Sequence, residues 1–143
     1  MDDILWTEPR FYDRATNTTI VIPFLAAYDP VGGNAWEYTV EAMTNDNVVV
    51  GNVRLGAHNY ASWIWDSANG IRDITTLIDS STDPGLNFFG SGGVTDINNY
   101  GQIVGLHRLN DWDYQPFVLV IPEPATLLVL AGGALGILGR RRR

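Results

Sequence analysis

Apolar residues fall along the first 120 positions in short alternating runs, broken by glycine, proline and asparagine. That is the pattern of strands and turns rather than of helices. Residues 60–66 (YASWIWD) alternate so that Trp63 and Trp65 share one face of a strand. Ser67, Ala68, Asn69 and Gly70 supply an Asn-Gly hairpin, and residues 71–78 (IRDITTLI) read as the return strand. Asp83, Pro84 and Gly85 read as a turn. Gly92 and Gly93 open a further strand over residues 94–98, and Tyr100 and Gly101 turn the chain into a strand over 102–106. No stretch of residues 1–120 has good helical periodicity.

The same pattern returns at a fixed offset, in units of about 54 residues. At that offset Val48, Val49, Val50 and Gly51 match Gln102, Ile103, Val104 and Gly105, while Arg54, Leu55 and Tyr60 match Arg108, Leu109 and Tyr114. Trp63 matches Phe117, Ile64 matches Val118, Asn45 matches Asn99, Ile20 matches Ile74, and Asp29-Pro30 matches Asp83-Pro84, all without a gap. Four strands in each unit is the size of one propeller blade or one layer of a stacked β array. Residues 95–105 (TDINNYGQIVG) resemble the core of bacterial extracellular HAF repeats. That resemblance implies a propeller-like body without a defined activity. Where such repeats carry His-Ala-Phe, this chain has Gln115-Pro116-Phe117 and Ala61-Ser62-Trp63. A closed propeller needs roughly 160–200 residues. The chain holds about two units and begins inside another, since Ile4-Leu5-Trp6 resembles the Trp63 strand. The expectation is an all-β repeat body over residues 1–120, as propeller-like blades or a small β-sandwich, and incomplete.

The pattern then changes abruptly. Residues 125–139 (ATLLVLAGGALGILG) carry no charge, and four arginines follow: Arg140, Arg141, Arg142 and Arg143. A helix over that run extends about 22 Å, short of a bilayer core of roughly 30 Å. A buried core helix is the alternative on length alone. It would not be apolar around its whole circumference and end in four arginines, whereas long Arg side chains reach to head groups and extend a short span. The positive-inside rule puts the arginines in the cytoplasm and the body across the membrane. Before the run stand Pro122, Glu123 and Pro124, which hold the chain extended.

These three parts resemble the PEP-CTERM sorting signal of Gram-negative bacteria, with Ile121 where valine is usual. The resemblance implies Pro122, Glu123 and Pro124 as the recognition residues of a membrane protease, exosortase. It implies one transmembrane helix containing Ala125, Leu127, Leu128, Leu130, Leu135, Ile137 and Leu138, and Arg140 to Arg143 as the cytoplasmic stop. The protein is then anchored transiently in the inner membrane before reaching the cell surface or extracellular matrix. Its implied partners are exosortase, membrane lipid and extracellular polysaccharide. Residues 121–143 form this segment. Residues 19–27 (TIVIPFLAA) are short for an export signal, contain Pro23 and follow charged sequence, so the chain is expected to begin downstream of its true start.

Charge narrows the function further. Residues 1–139 carry 5 Arg against 16 acids, a charge of −11, which repels nucleic acid and excludes it as a partner. The absence of cysteine removes thiol chemistry and cysteine-held metals. His58 and His107 lack ligand spacing and read as solvated or loop residues. Asn45-Asp46-Asn47 and Asp111-Trp112-Asp113 fit acidic turns better than calcium loops, and Asn98-Asn99 is expected to bond its own turn. Glu37 and Glu41 make a weak carboxylate pair, and no nucleophile elbow is present. Among the tryptophans, Trp63 and Trp65 are expected in the core, leaving Trp112 as the aromatic able to face a ligand such as a sugar ring. These readings imply no cofactor, no metal and no catalytic group: a non-enzymatic surface protein, or alternatively an exopolysaccharide-binding module bearing the same signal.

Overall fold

A computed structural model describes residues 8–28, 37–57, 59–78, 85–86, 88, 92–110 and 113–121. Strands β1 (Arg10–Asp13) and β2 (Thr18–Val21) form a two-stranded first sheet. The middle sheet contains β3 (Glu37–Met43), β4 (Val49–Arg54), β5 (Tyr60–Asp66) and β6 (Gly70–Asp73), in that order. The third contains β7 (Gly93–Ile97), β8 (Gln102–Asn110) and β9 (Asp113–Val120). Every neighbouring pair is antiparallel. Short 3-10 turns at Ala26–Tyr28 and Ile74–Leu77 are the only helical elements among the described residues.

The middle sheet is covered on both faces, and the side-chain period of two sorts its residues between two cores. Val49 and Val53 of β4 and Trp63 and Trp65 of β5 point toward the first sheet, where Ile22, Leu25 and Ala61 complete the cluster. Phe11 of β1 meets Trp65 edge-on, with ring centroids 5.4 Å apart. Val50 and Ile64 point the other way and pack with Ile74, Val94, Ile97 and Ile103 between the middle and third sheets. Each fully buried valine or isoleucine contributes about 1.5–3 kcal/mol of transfer free energy.

The third sheet repeats the geometry of the middle one. Met43 pairs with Val49, and Val40 with Gly51 beyond a bulge. One repeat further on, Ile97 pairs with Ile103, and Val94 with Gly105 beyond a bulge in the same place. Gly51 faces Trp63 and Gly105 faces Phe117. A Cβ on Gly51 would lie on the Thr39 carbonyl oxygen and the Trp63 indole, and one on Gly105 would lie on the Gly93 carbonyl and the Phe117 ring. The aromatic ring and the bulged neighbour thus leave room for hydrogen alone at both positions. Asn47 and Gly101, also one repeat apart, both take positive φ in the turns that precede β4 and β8.

Two polar devices join these sheets. The Asn52 amide Nδ2 donates to the Val94 carbonyl at 2.9 Å, and its Oδ1 accepts from the Val94 N–H at 3.0 Å. Ser62 Oγ donates to Asn52 Oδ1 at 2.8 Å and also accepts from the Val94 N–H, at 3.2 Å. An Asn side chain therefore acts toward β7 as a strand backbone would. Between the turns, the Asn45 N–H donates to Asn99 Oδ1 at 2.9 Å.

Several sequence expectations are corrected in detail. The return strand stops at Asp73, because its carboxylate accepts from the Thr75 N–H and Thr75 hydroxyl and starts a 3-10 turn. Fully buried Ile22, rather than Ile20, stands where Ile74 stands: each follows a return strand and fills a core. The counterpart of the Trp63 strand is β1, whereas Ile4, Leu5 and Trp6 lie outside the described residues. Residues 19–27 belong to the body, since Ile22 and Leu25 are core residues. His107 is buried on β8, because β8 alternates and turns Ile103, Gly105 and His107 to one side. His58 lies outside the described residues.

Candidate sorting segment and its attachment to the body

The candidate site begins where the third sheet ends. Val120, the last residue of β9, pairs with Gln102, and the Ile121 N–H donates to the Gly101 carbonyl at 2.9 Å. Ile121 packs against the core between the middle and third sheets. Gly101 backs so closely onto this residue that a Cβ there would come within 2.8 Å of the Ile121 carbonyl oxygen. The turn on which Gly101 lies is itself fixed: Asn98 Oδ1 accepts from the Tyr100 N–H at 3.0 Å and the Gln102 N–H at 3.1 Å. Asn98 thus bonds its own turn, as its sequence suggests, while Asn99 reaches across to the preceding unit.

Pro122, Glu123 and Pro124 follow Ile121 immediately. They lie outside the described residues, as do Ala125, Leu127, Leu128, Leu130, Leu135, Ile137, Leu138, the terminal Arg140 to Arg143, and Trp112. Fully extended, the three residues from Pro122 to Pro124 span about 10 Å. Among the described residues no helix is long and apolar enough to cross a membrane.

Several polar groups among the described residues close the turns of the body. Asp66 closes the β5–β6 hairpin by accepting from the Ala68 and Asn69 N–H groups and the Asn69 amide, and it pairs with Arg72. Burial pushes its carboxyl up, but the Asn69 side chain, the two backbone N–H groups and the Arg72 charge together hold it below the usual carboxylate range. Asp13 closes the β1–β2 hairpin in the same way. The Thr16 hydroxyl and then the Ala15 N–H lower its carboxyl. Tyr28 donates to Asp73 at 3.3 Å. Burial raises its phenol above the ordinary range, and the Asp73 charge adds to the effect.

Trp63 and Trp65 are buried, so neither offers a ring face to a ligand. The Asn45-Asp46-Asn47 stretch is a turn in which Thr44 Oγ1 accepts from the Val48 N–H at 3.1 Å. Glu41 accepts from the Thr39 hydroxyl and the Asn52 amide. Among the described residues no three His, Asp or Glu side chains gather as a metal site. His107 lies edge-on to Phe117 with centroids 6.4 Å apart, and its buried Nδ1 has no hydrogen-bond partner among the described residues. Its inward position was readable from the offset, which aligns His107 with buried Val53.

No curated protein and no solved structure gives a significant match to the chain. The body is therefore understood from its own geometry. For its final segment a family does match: from Val120 through Arg143, beginning at the last residue of β9, the chain carries a PEP-CTERM protein-sorting motif.

Proposed function

We propose that this is an exported surface or matrix protein whose β body does no chemistry of its own and is delivered by its final segment, from Pro122 to Arg143. The PEP-CTERM motif implies an exported protein processed by exosortase, a membrane protein. The single observation that carries the reading is that motif, joined to a strand end fixed by Gly101 and Ile121. In this account Ala125 starts a short transmembrane helix. Its five leucines, with Val129 and Ile137, favour insertion by roughly 2–4 kcal/mol on the insertion scale. Moving Arg140 to Arg143 through the bilayer would cost about 10 kcal/mol or more on the same scale, so they stay cytoplasmic. The helix holds Pro-Glu-Pro at the membrane surface, and cleavage there releases the body toward the surface or the extracellular polysaccharide. Tandem sheets of the HAF-like kind suit such a role, because they present area rather than a cleft.

A reporter fused to residues 117–143 tests this reading. It should reach the membrane and be shortened only in cells that contain exosortase. Replacing Pro122 and Pro124 together by alanine should leave it full-length. Equal processing of the altered fusion would overturn the assignment of Pro-Glu-Pro.

A further inference from the structure

The third sheet stops at β9, where the middle sheet has one strand more. In the middle sheet β6 runs along β5 and sets Asp73, Arg72 and Ile71 beside Trp63, Ile64 and Trp65. One repeat later the same edge belongs to Phe117, Val118 and Leu119, and no strand lies beyond it among the described residues. The counterpart of β6 falls on Pro124, Ala125, Thr126 and Leu127, inside the matched sorting motif. With that run in the membrane, a point taken from the proposed function, β9 keeps an open edge.

The backbone groups on this edge follow from the ladder. The Ile121 N–H is bonded to Gly101, and bonded residues alternate along an antiparallel pair. Leu119 and Phe117 therefore turn their N–H and C=O groups toward β8, while Val120, Val118 and Pro116 turn theirs outward. Pro116 has no N–H, and it stands where β8 needs none. Edges that stay single are usually blunted by charge or by a bulge. In the same two sheets β3 carries Glu37, Glu41 and a bulge, β6 carries Arg72 and Asp73, and β7 carries Asp96 and a bulge. From Pro116 to Ile121 the chain has no charge, the register of β9 is regular from Pro116 to Val120, and Val118 and Val120 are 65% and 58% exposed.

We infer that two copies of the protein join through this edge, β9 antiparallel to β9, so that two three-stranded sheets become one. A strand added to an open edge gains affinity from the main chain and selectivity from its side chains. Centred on Val118, a two-fold pairing sets Val118 against Val118, each N–H donating to the other C=O. Phe117 then lies beside Leu119 of the second copy, and the Pro116 carbonyl accepts from the Val120 N–H. The side chains along the contact are all apolar, so the edges match each other even though the body is acidic. A strand like β6 would instead bring an arginine and an aspartate beside Val118 and Phe117, with no charge on β9 to meet them. Both copies also enter the same membrane a few residues beyond Ile121, which holds their open edges at one height. A contact between like edges closes on itself, so the product is a dimer.

The chain lacks cysteine, so Val118→Cys places a single thiol at the two-fold. The paired Cα atoms there lie about 5.5 Å apart, within reach of a disulfide. In cells without exosortase, where the chain stays whole, oxidation of membranes with copper phenanthroline should give a disulfide-linked dimer. Val104 pairs with Val118 one strand further in, so three strand spacings, about 14 Å, separate its two copies, and Val104→Cys should stay single. Val118→Pro removes only an outward N–H and leaves the bonds to β8 intact. Differently tagged full-length copies should co-purify from mild detergent. Val118→Pro in both should cut that recovery roughly tenfold or more, with the tryptophan fluorescence of the body unchanged. No dimer from Val118→Cys, an equal yield from Val104→Cys, or full co-purification of the Val118→Pro chains would overturn the inference. Alkaline extraction of the same membranes keeps the two readings apart. A full-length chain that washes off refutes the transmembrane segment whatever the gel shows, while an extraction-resistant chain with no Val118 cross-link refutes the edge contact alone.

Discussion

Asn52→Ala separates the third sheet from the middle one more cleanly than any core truncation. The change removes the donor to the Val94 carbonyl at 2.9 Å and one of two acceptors for the Val94 N–H. Val94 is 1% exposed, so water does not replace the lost donor. An unsatisfied buried carbonyl costs about 1–3 kcal/mol. The N–H keeps Ser62 Oγ at 3.2 Å, so its loss is smaller, about 1 kcal/mol. The sum is a destabilisation of roughly 2–4 kcal/mol, a large fraction of the stability of an ordinary domain. Denaturant unfolding of the full chain in mild detergent, followed by tryptophan fluorescence, measures it, because Trp63 and Trp65 are buried in the adjoining core. Hydrogen exchange at the Val94 amide locates it. Glu41→Gln is the control: Glu41 meets Asn52 at an exposed position, and its change should stay within about 0.5 kcal/mol. A loss below about 0.5 kcal/mol for Asn52→Ala, with Val94 exchange unchanged, would refute the view that this amide fastens the sheets.

Other perturbations test neighbouring parts of the account. Gly51→Ala forces a methyl onto the Thr39 carbonyl and the Trp63 ring and should cost about 3–5 kcal/mol. Gly56→Ala meets nothing within 4 Å, and its melting temperature should match that of the parent. Asp66 has a lowered folded pKa, so its stabilising contribution is complete above its unfolded value near 3.8. It is lost as pH falls through the folded value. The stability gap between the parent and Asp66→Asn should therefore hold steady from about pH 7 to 5 and narrow below pH 4; a gap that widened on acidification would contradict the hydrogen-bond assignment. Inserting a short Gly/Ser spacer between Ile121 and Pro122 should preserve processing, since Pro-Glu-Pro follows the pinned Ile121, and pulse-chase labelling would show its loss.

Much of the body was legible because its side chains are constrained twice over. Trp63 and Trp65 alternate with Ile64, and a strand covered on both faces needs large apolar groups at all three positions. The repeat showed through Val49 to Gly51 and Ile103 to Gly105 because each segment crosses the same bulge and faces an aromatic ring. Asn69-Gly70 marked a hairpin because Gly70 takes positive φ. What stayed hidden depends on partners distant in sequence. A lone Asn52 says nothing of a clip to Val94, and the length of β6 is set by Asp73 capping a turn that apolar periodicity cannot reveal. His107 runs against its residue type: a histidine suggests solvent, while its place on an alternating strand, in step with Gly105, decides its burial. The sorting motif matched over residues 120–143 was readable because Pro-Glu-Pro, the apolar run and the arginines are adjacent in sequence. Body residues able to recognise a ligand carry no such local mark, and Trp112 stands outside the described residues.

Mass spectrometry of the protein recovered from the cell surface or medium tests the central claim most directly. The account predicts a chain that ends at or near Pro-Glu-Pro and lacks the apolar run with its arginines. A released, soluble protein whose C-terminal peptide still ends in Arg143 would contradict it.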